Sequence, residues 1–392
     1  MNPPSQQTRT VRAALTEDVA HKAVVPPIYL STNYAFDGFG QKGRYDYSRS
    51  GNPTRDQLAD ALAALEGGAG AVVTGSGMGA VGLVAHQQCA NGDLVIAPHD
   101  CYGGTLRLFL ALERKGVLRL RLIDFSEAAD YAAALAERPR LVWIETPSNP
   151  LLRVTDLEAT VGAAKAVGAT VCVDNTFLTP VWQQPLAFGA DLVVHSTTKY
   201  LNGHSDVVGG VVIAATAELH QDVAWWGNCL GLTGGAFDSY LTLRGLRTLH
   251  ARLQVHAQNA HALVSLLAAH PAVRTVHYPG LAAHPQHALA ARQQTSFGAM
   301  VSFELHGGLA AVEAFLANLR CFTLAESLGG VESLVAHPAT MTHASMSAEA
   351  KQRAGLVDGL LRLSVGIEEA ADLQADLAAA LDRALSIGES SR

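Results

Sequence analysis

Between about residue 60 and residue 215 the chain alternates short apolar runs with Ala- and Leu-rich stretches, and this alternation constrains the fold more than any other feature. The runs at 71–73, 94–97, 118–123, 141–144, 170–173, 192–194 and 211–213 are short and partly β-branched. Apolar runs of this length predict strands buried on both faces. Helical stretches lie between most of them, which predicts an α/β fold with a mainly parallel sheet covered by helices on both sides. Hydrophobic residues make up 49% of the chain and aromatics only 6%. That balance favours tightly packed helices on a sheet over an aromatic-rich β-sandwich. One helix carries its own start and stop signals: Thr155-Asp-Leu-Glu158 has capping-box spacing and Gly168 sits where the helix should end.

At 392 residues the prior is roughly two to three domains. Residues 1–60 read as an irregular arm, because few apolar residues recur there at helical or strand spacing. A segment that cannot bury a face of its own is disordered or docked on another body. Its run Gly43-Arg-Tyr-Asp-Tyr-Ser-Arg-Ser-Gly-Asn-Pro-Thr-Arg55 makes it a chemically loaded arm. Residues 61–250 then form the α/β domain, and 251–392 a smaller α+β domain. Helices are expected at 256–270, 309–319 and 369–385, and strands at 273–278, 300–305 and 361–365. Leu373, Leu377, Leu381 and Leu385 recur every four residues and mark one buried helix face.

The net charge of −7 argues against nucleic acid or an anionic membrane as the main partner. Five scattered cysteines (Cys89, Cys101, Cys172, Cys229, Cys321) with no C-x-x-C fit a reducing cytoplasm. They also argue against a cysteine zinc site. The polar start lacks an apolar leader core, and no stretch offers ~20 uninterrupted apolar residues. A soluble cytoplasmic protein is the expectation.

Four features converge on the predicted strand ends. Thr74-Gly-Ser-Gly-Met-Gly79 is a glycine-rich turn entering a helix, where free backbone N–H groups hold a phosphate. Within it Gly77-Met-Gly79-Ala-Val-Gly82 also satisfies G-x-G-x-x-G, with Asp100 near the place of a ribose-binding acid, so a nicotinamide oxidoreductase is the rival from another class. Tyr102, followed by two glycines, can lie flat on a planar ligand. Asp174 closes a strand and can hold a pyridine nitrogen protonated. Lys199 follows Ser196-Thr-Thr198 directly after a strand, so hydroxyls for a phosphate stand beside an amine for an aldehyde. An amine, a carboxylate, a flat aromatic and a phosphate cradle in this order are what a pyridoxal 5'-phosphate site requires. The 16 histidines form no His-Glu-x-x-His, and no metal is expected.

The chain resembles the Cys/Met-metabolism family of pyridoxal-phosphate enzymes over nearly its whole length. The resemblance rests on Tyr47-Ser-Arg-Ser-Gly-Asn-Pro-Thr-Arg55, Ala97-Pro-His-Asp-Cys-Tyr-Gly-Gly104, Thr146-Pro-Ser-Asn-Pro150, Val173-Asp-Asn-Thr176, His195-Ser-Thr-Thr-Lys-Tyr-Leu-Asn-Gly-His204 and Leu324-Ala-Glu-Ser-Leu-Gly-Gly-Val-Glu-Ser333. It implies the aspartate-aminotransferase-like fold (fold type I). It implies Lys199 as the Schiff-base lysine, Asp174 as the ring-nitrogen partner and Tyr102 as the stacking aromatic. Ser196, Thr198 and the amides of Gly77 and Met78 are implied to hold the phosphate, and Asn149 to lie near the phenolic oxygen. Tyr47 and Arg49 are implied to reach the cofactor of a neighbouring subunit, in a homotetramer built from dimers that share active sites. Arg362, helped by Ser327, is implied to grip the substrate α-carboxylate.

Glu326 resembles the γ-acting members, and Arg107 the position that meets a substrate's distal carboxylate. The implied reaction is γ-replacement: an O-acylated homoserine, with succinyl the expected acyl group, plus cysteine gives cystathionine, a step of methionine biosynthesis. A γ-eliminating relative that cleaves cystathionine is the near alternative, and a non-catalytic regulatory relative a further one.

Overall fold

The computed structural model describes residues 4–15, 18–344, 346 and 348–390. All seven apolar runs become strands of one sheet: β1 (Gly70–Thr74), β2 (Asp93–Pro98), β3 (Leu118–Ile123), β4 (Leu141–Glu145), β5 (Thr170–Asp174), β6 (Leu192–His195) and β7 (Gly210–Ala214). Their order is β1-β7-β6-β5-β4-β2-β3. From β3 through β6 every pairing is parallel, while β7 runs antiparallel to both its neighbours. The reason lies in the connection. Residues 196–209 between β6 and β7 contain no helix to carry the chain back across the sheet, and a parallel return usually needs one.

Six helices of the first half are used below: α1 (Gln6–Val11), α2 (Pro53–Glu66), α3 (Gly77–Gln88), α4 (Gly103–Arg114), α5 (Ala128–Leu135) and α6 (Leu157–Ala166). Successive strand residues face opposite layers, as the pleat requires. Leu141 and Trp143 of β4 join Val81 and Leu83 of α3 and Phe109 of α4. Val142 and Ile144 join Ala134 of α5 and Leu157 and Val161 of α6 on the other face. All four of these β4 side chains are wholly buried. Each contributes roughly 1.5–3 kcal/mol by leaving water, which makes β4 and its ends a rigid platform.

A second sheet holds β8 (Val273–His277), β9 (Met300–Leu305), β10 (Thr323–Leu324), β11 (Leu334–Ala336) and β12 (Leu360–Ser364), in the order β10-β11-β12-β9-β8. The helices Leu249–Ala269 and Ala370–Ser390 pack on it. Leu373, Leu377 and Leu381 are fully buried, and Leu385 packs partly buried against the same core. That core continues through Tyr200 and Val193 to Leu58 and Leu62 of α2, so the second sheet and the arm's helix are joined beneath the large sheet.

Two local expectations are corrected. The irregular arm does not run to residue 60: α2 begins at Pro53. Asn52 caps it, its Oδ1 accepting the N–H groups of Thr54 and Arg55 at 3.0 and 3.2 Å, and proline stands at the first helical position, where its missing N–H costs nothing. Leu58, Leu62 and Leu65 then face the core. The cap of α6 is Asp156, not Thr155: its side chain accepts the Ala159 N–H at 3.0 Å. Thr155 instead donates its own N–H to Thr146 Oγ1 at 3.0 Å, tying this loop to the end of β4.

Candidate active site

The site grows out of the connection after β6. Ser196 to Lys199 turn away from the sheet at its carboxyl end, where β4 and β5 also stop. In open α/β sheets this is where ligands bind. The Gly203 N–H donates to the Lys199 carbonyl at 2.8 Å. Arg252, buried beneath, donates to the carbonyls of Tyr200 and Gly245, each at 2.9 Å. Gly203 sits at φ 77°, and a Cβ there would lie 2.1 Å from Arg252 Nη1. Glycine is therefore required for the guanidinium to clamp the backbone just past Lys199.

A cleft of about 630 Å³ opens over these strand ends. It brings together Gly77, Met78, Tyr102, Arg107, Asn149, Asp174, Ser196, Thr198, Lys199, Glu326, Ser327 and Arg362, drawn from both sheets. Tyr47 and Arg49 are not among its lining. Arg49 donates to the Asn228 carbonyl at 2.9 Å and lies over the Tyr47 ring at 5.7 Å, on a different surface of the same chain.

Lys199 Nζ donates to Ser327 Oγ at 2.6 Å. Its pKa falls to about 8, first because burial penalises the ammonium and then because the Arg362 guanidinium is near, with Glu326 acting the other way. Ser327 holds φ 93°, outside the region most side chains adopt. Gly329 follows at φ 76°, where a Cβ would meet the Tyr200 backbone nitrogen at 2.7 Å. The 326–329 loop is thus pressed against the lysine's own backbone.

Arg362 lies on β12 at 2% exposure. It donates from Nη1 to Asn149 Oδ1 at 2.9 Å and from Nη2 to the Ser327 carbonyl at 3.0 Å. Its buried Nε has no hydrogen-bond partner among the described residues, and the residue lines the cleft. Burial lowers its pKa to about 10, so it is a cation throughout the physiological range.

Asp174 accepts the Thr176 N–H at 3.0 Å. Burial raises its pKa, while the Thr176 hydrogen bonds and the charge of His195 work to lower it. On the opposite wall Ser76 caps α3, accepting the Gly79 N–H at 2.9 Å. Gly77 needs its missing side chain: a Cβ would stand 2.8 Å from Ser196 Cβ and 2.9 Å from its Oγ. A Cβ on Gly104 would likewise strike the Tyr102 ring at 2.5 Å and Met78 Sδ at 2.8 Å. The aromatic is therefore laid over the glycine.

This donor set fits pyridoxal phosphate: hydroxyls and helix-start amides for a phosphate, an amine of lowered pKa for an aldehyde, and a buried carboxylate for a ring nitrogen. The rival nicotinamide reading loses its acid. Asp100 is 4% exposed and already accepts from Arg153 at 2.6 Å and Ser148 at 2.8 Å. No group of three or more His, Cys, Asp or Glu able to hold a metal occurs among the described residues, and no helix there is long and apolar enough to cross a membrane.

Among the ionisable residues lining the cleft, the sequence reading missed one, Glu145. It ends β4 as Asp174 ends β5, and the register pairs them directly. The only signal in the sequence was its position at a strand end, the same as for Asp174.

Residues 7–382 match the family model described as Cys/Met metabolism PLP-dependent enzyme. A cystathionine gamma-synthase of Escherichia coli (strain K12) is 55% identical over 372 residues, covering 95% of this chain and 96% of that protein. A crystal structure of cystathionine gamma synthase from Xanthomonas oryzae pv. oryzae, in complex with cystathionine, is 62% identical with a TM-score of 0.98, covering 98% of this chain and all of that one. A cystathionine gamma-lyase of Dictyostelium discoideum is 45% identical over 377 residues, 96% of this chain and 97% of that protein. On the strength of its fold, its cleft and these likenesses, the chain belongs to the Cys/Met metabolism family of PLP-dependent enzymes.

Proposed function

We propose that this chain is a cystathionine γ-synthase: it replaces the acyl group of O-succinyl-L-homoserine with L-cysteine, giving L-cystathionine. The observation that carries the reading is the grouping of Lys199, Glu326 and Arg362 in one cleft of a chain 62% identical to the Xanthomonas oryzae structure solved with cystathionine.

Bound pyridoxal phosphate supplies an electron sink for the electrons of the substrate Cα–H bond. Ser196, Thr198 and the amides of Gly77 and Met78 would hold its phosphate. Asp174 would keep its ring nitrogen protonated, Tyr102 would cover its ring, and Asn149 would serve its phenolic oxygen. Arg362 takes the substrate α-carboxylate in a fork, with Ser327 beside it. Lys199 anchors the aldehyde until the substrate amine displaces it. Its Nζ then accepts the proton from Cα, releases it within the site, and accepts one from Cβ. The acyl group leaves Cγ as the free carboxylic acid, the cysteine sulfur bonds to the same carbon as its thiol gives up a proton, and Nζ returns protons to Cβ and Cα. A lysine with a pKa near 8 suits this work, since a permanent cation could not accept a proton.

The test is a product assay with O-succinylhomoserine and O-acetylhomoserine, each with and without cysteine. Cystathionine formed only when cysteine is present supports the synthase. Keto acid and ammonia at the same rate with or without cysteine would favour γ-elimination, the second reading that the Dictyostelium likeness keeps in play.

Arg107 lines the cleft on α4 and is exposed, with no ion-pair partner among the described residues. We assign it to the succinyl carboxylate. Arg107→Ala should lower kcat/KM for O-succinylhomoserine about ten- to a hundredfold, the worth of a charged hydrogen bond. O-Acetylhomoserine has no distal carboxylate and should lose little. Equal losses on both esters reject the assignment.

The arm supports a shared active site. Tyr47 and Arg49 do not reach the cleft of their own chain, and the arm leaves Leu30 74% and Phe36 51% exposed. We read it as a bridge to a second subunit's cofactor phosphate, in a tetramer of such dimers in the cytoplasm. Arg49→Ala should weaken cofactor retention roughly tenfold or more. Mixing it with Lys199→Ala should restore part of the activity, because some mixed dimers then hold one intact site. Mixtures with no gain over the separate variants would return the arm to its own chain.

A further inference from the structure

Resting on the reading above, we propose that Glu145 is a positioning residue of this site: it fixes Tyr102 through the backbone and leaves the single negative charge of the cleft floor to Asp174. Tyr102 begins α4 with no side-chain cap of its own. Instead its N–H donates across to Glu145 Oε2 at 2.7 Å, while the Trp143 indole N–H donates to Oε1 at 3.1 Å. Glu145 is 6% exposed. The Tyr102 ring is confined by Gly104 and Met78, where no extra atom fits. Its backbone is held by the carboxyl, so ring and anchor share one rigid support, the end of β4.

The same carboxyl faces Asp174. Paired residues on adjacent parallel strands point to the same side, with strands about 4.8 Å apart. The other charges near Glu145 are few. Asp100, after β2, is paired with Arg153 and still acts to raise the Glu145 pKa, less than Asp174 does. Cys101 beside it is a buried thiol whose pKa is pushed up by burial. On the far side of Asp174, His195 is paired with Glu66 at 2.6 Å and its charge favours ionised Asp174. No such cation serves Glu145. Burial first and Asp174 second raise its pKa, against the lowering effect of the Tyr102 and Trp143 hydrogen bonds. Two like charges this close and this dry do not both persist. The pair therefore carries one proton, and with His195 beside Asp174 that proton sits on Glu145, which still accepts both N–H bonds.

Three substitutions separate this from a merely structural role. Gln keeps a neutral group of the same length with an acceptor for Tyr102. Asp keeps the acid but is ~1.5 Å too short to reach that N–H, and Ala removes both. Cofactor-free protein is titrated with pyridoxal phosphate by visible absorbance, and kcat is measured with substrate. Glu145→Gln should stay within about threefold of wild type in both, whereas Glu145→Asp and Glu145→Ala should each lose about tenfold or more. The infrared difference spectrum of wild-type minus Glu145→Gln holoenzyme at neutral pH should show the carbonyl stretch of a protonated carboxylic acid. Circular dichroism checks folding; if the Asp and Ala variants do not fold, the Gln titration and the infrared band still decide. A Gln variant as damaged as Ala, an Asp variant like wild type, or a missing acid band overturns the proposal. Wild type that binds cofactor but makes no cystathionine would sink the assigned reaction and leave the titration and infrared results standing.

Discussion

Lys199→Ala is expected to lower kcat about ten-thousandfold while the chain still folds and still draws pyridoxal phosphate into the cleft. Removing a positioned proton carrier alone costs up to about four orders of magnitude, and here the covalent anchor goes with it. Lys199 Nζ makes one hydrogen bond to a neighbouring side chain, to Ser327, and no carboxylate pairs with it, so its loss leaves no buried charge uncompensated. Borohydride should fix the cofactor to the wild-type chain at Lys199 and add no mass to the variant. The pH dependence follows from the direction of the shift. A lysine lowered to about 8 is an ammonium below that pH and a nucleophile above it. Cofactor capture by the cofactor-free wild type should therefore speed up as pH rises and level off above about 8, and the variant should lack this limb. Normal turnover in the variant, or borohydride labelling at another lysine, would falsify the assignment.

What the sequence made legible follows from how far each signal reaches along the chain. Each strand of the large sheet is a contiguous apolar run, so local hydrophobicity suffices to find it. Lys199, Asp174 and Tyr102 stand directly after such runs and inherit their place at the sheet's carboxyl edge. The strands β10 and β11 span two and three residues, too short for any periodicity; β11 pairs with the edge of β12, and β10 in turn with β11. The helix α2 hid inside a polar arm. Its Asn52-Pro53 start was a readable cap, but half of its inward face serves other elements, and Arg55 and Glu66 are buried on it.

Glu145 was invisible for a different reason. Beyond its place at a strand end, nothing in Trp143-Ile-Glu145 marks the acid until the register sets it against Asp174 and the fold brings the Tyr102 N–H to it. The split of the arm from the cleft was also beyond local reading. Tyr47 and Arg49 look like phosphate ligands in the sequence, and the resemblance already implied a neighbouring subunit's site for them; in the folded chain they do not line the cleft of their own chain.

Arg362→Met should lower kcat/KM for the amino-acid substrate by roughly 30- to 5,000-fold, the equivalent of the about 2–5 kcal/mol lost when one member of a buried charged pair is removed. The guanidinium is built to be missed. Two of its nitrogens donate to Asn149 Oδ1 and the Ser327 carbonyl, each nitrogen keeping a second N–H, and the residue lines the cleft. Arg362→Lys keeps the charge but not the planar fork, and should fall between wild type and Arg362→Met. A second effect separates this from simple loss of binding. The Arg362 charge is the second cause, after burial, that holds Lys199 low. Without it the lysine keeps its proton to higher pH, so the rising limb of cofactor capture should move to the alkaline side in Arg362→Met and stay in place in Arg362→Lys. The two measurements are independent, since capture needs no amino-acid substrate. A methionine variant within threefold or so of wild type in kcat/KM would remove Arg362 from the α-carboxylate. An unmoved limb would show that burial alone, and not this cation, sets the lysine's proton affinity.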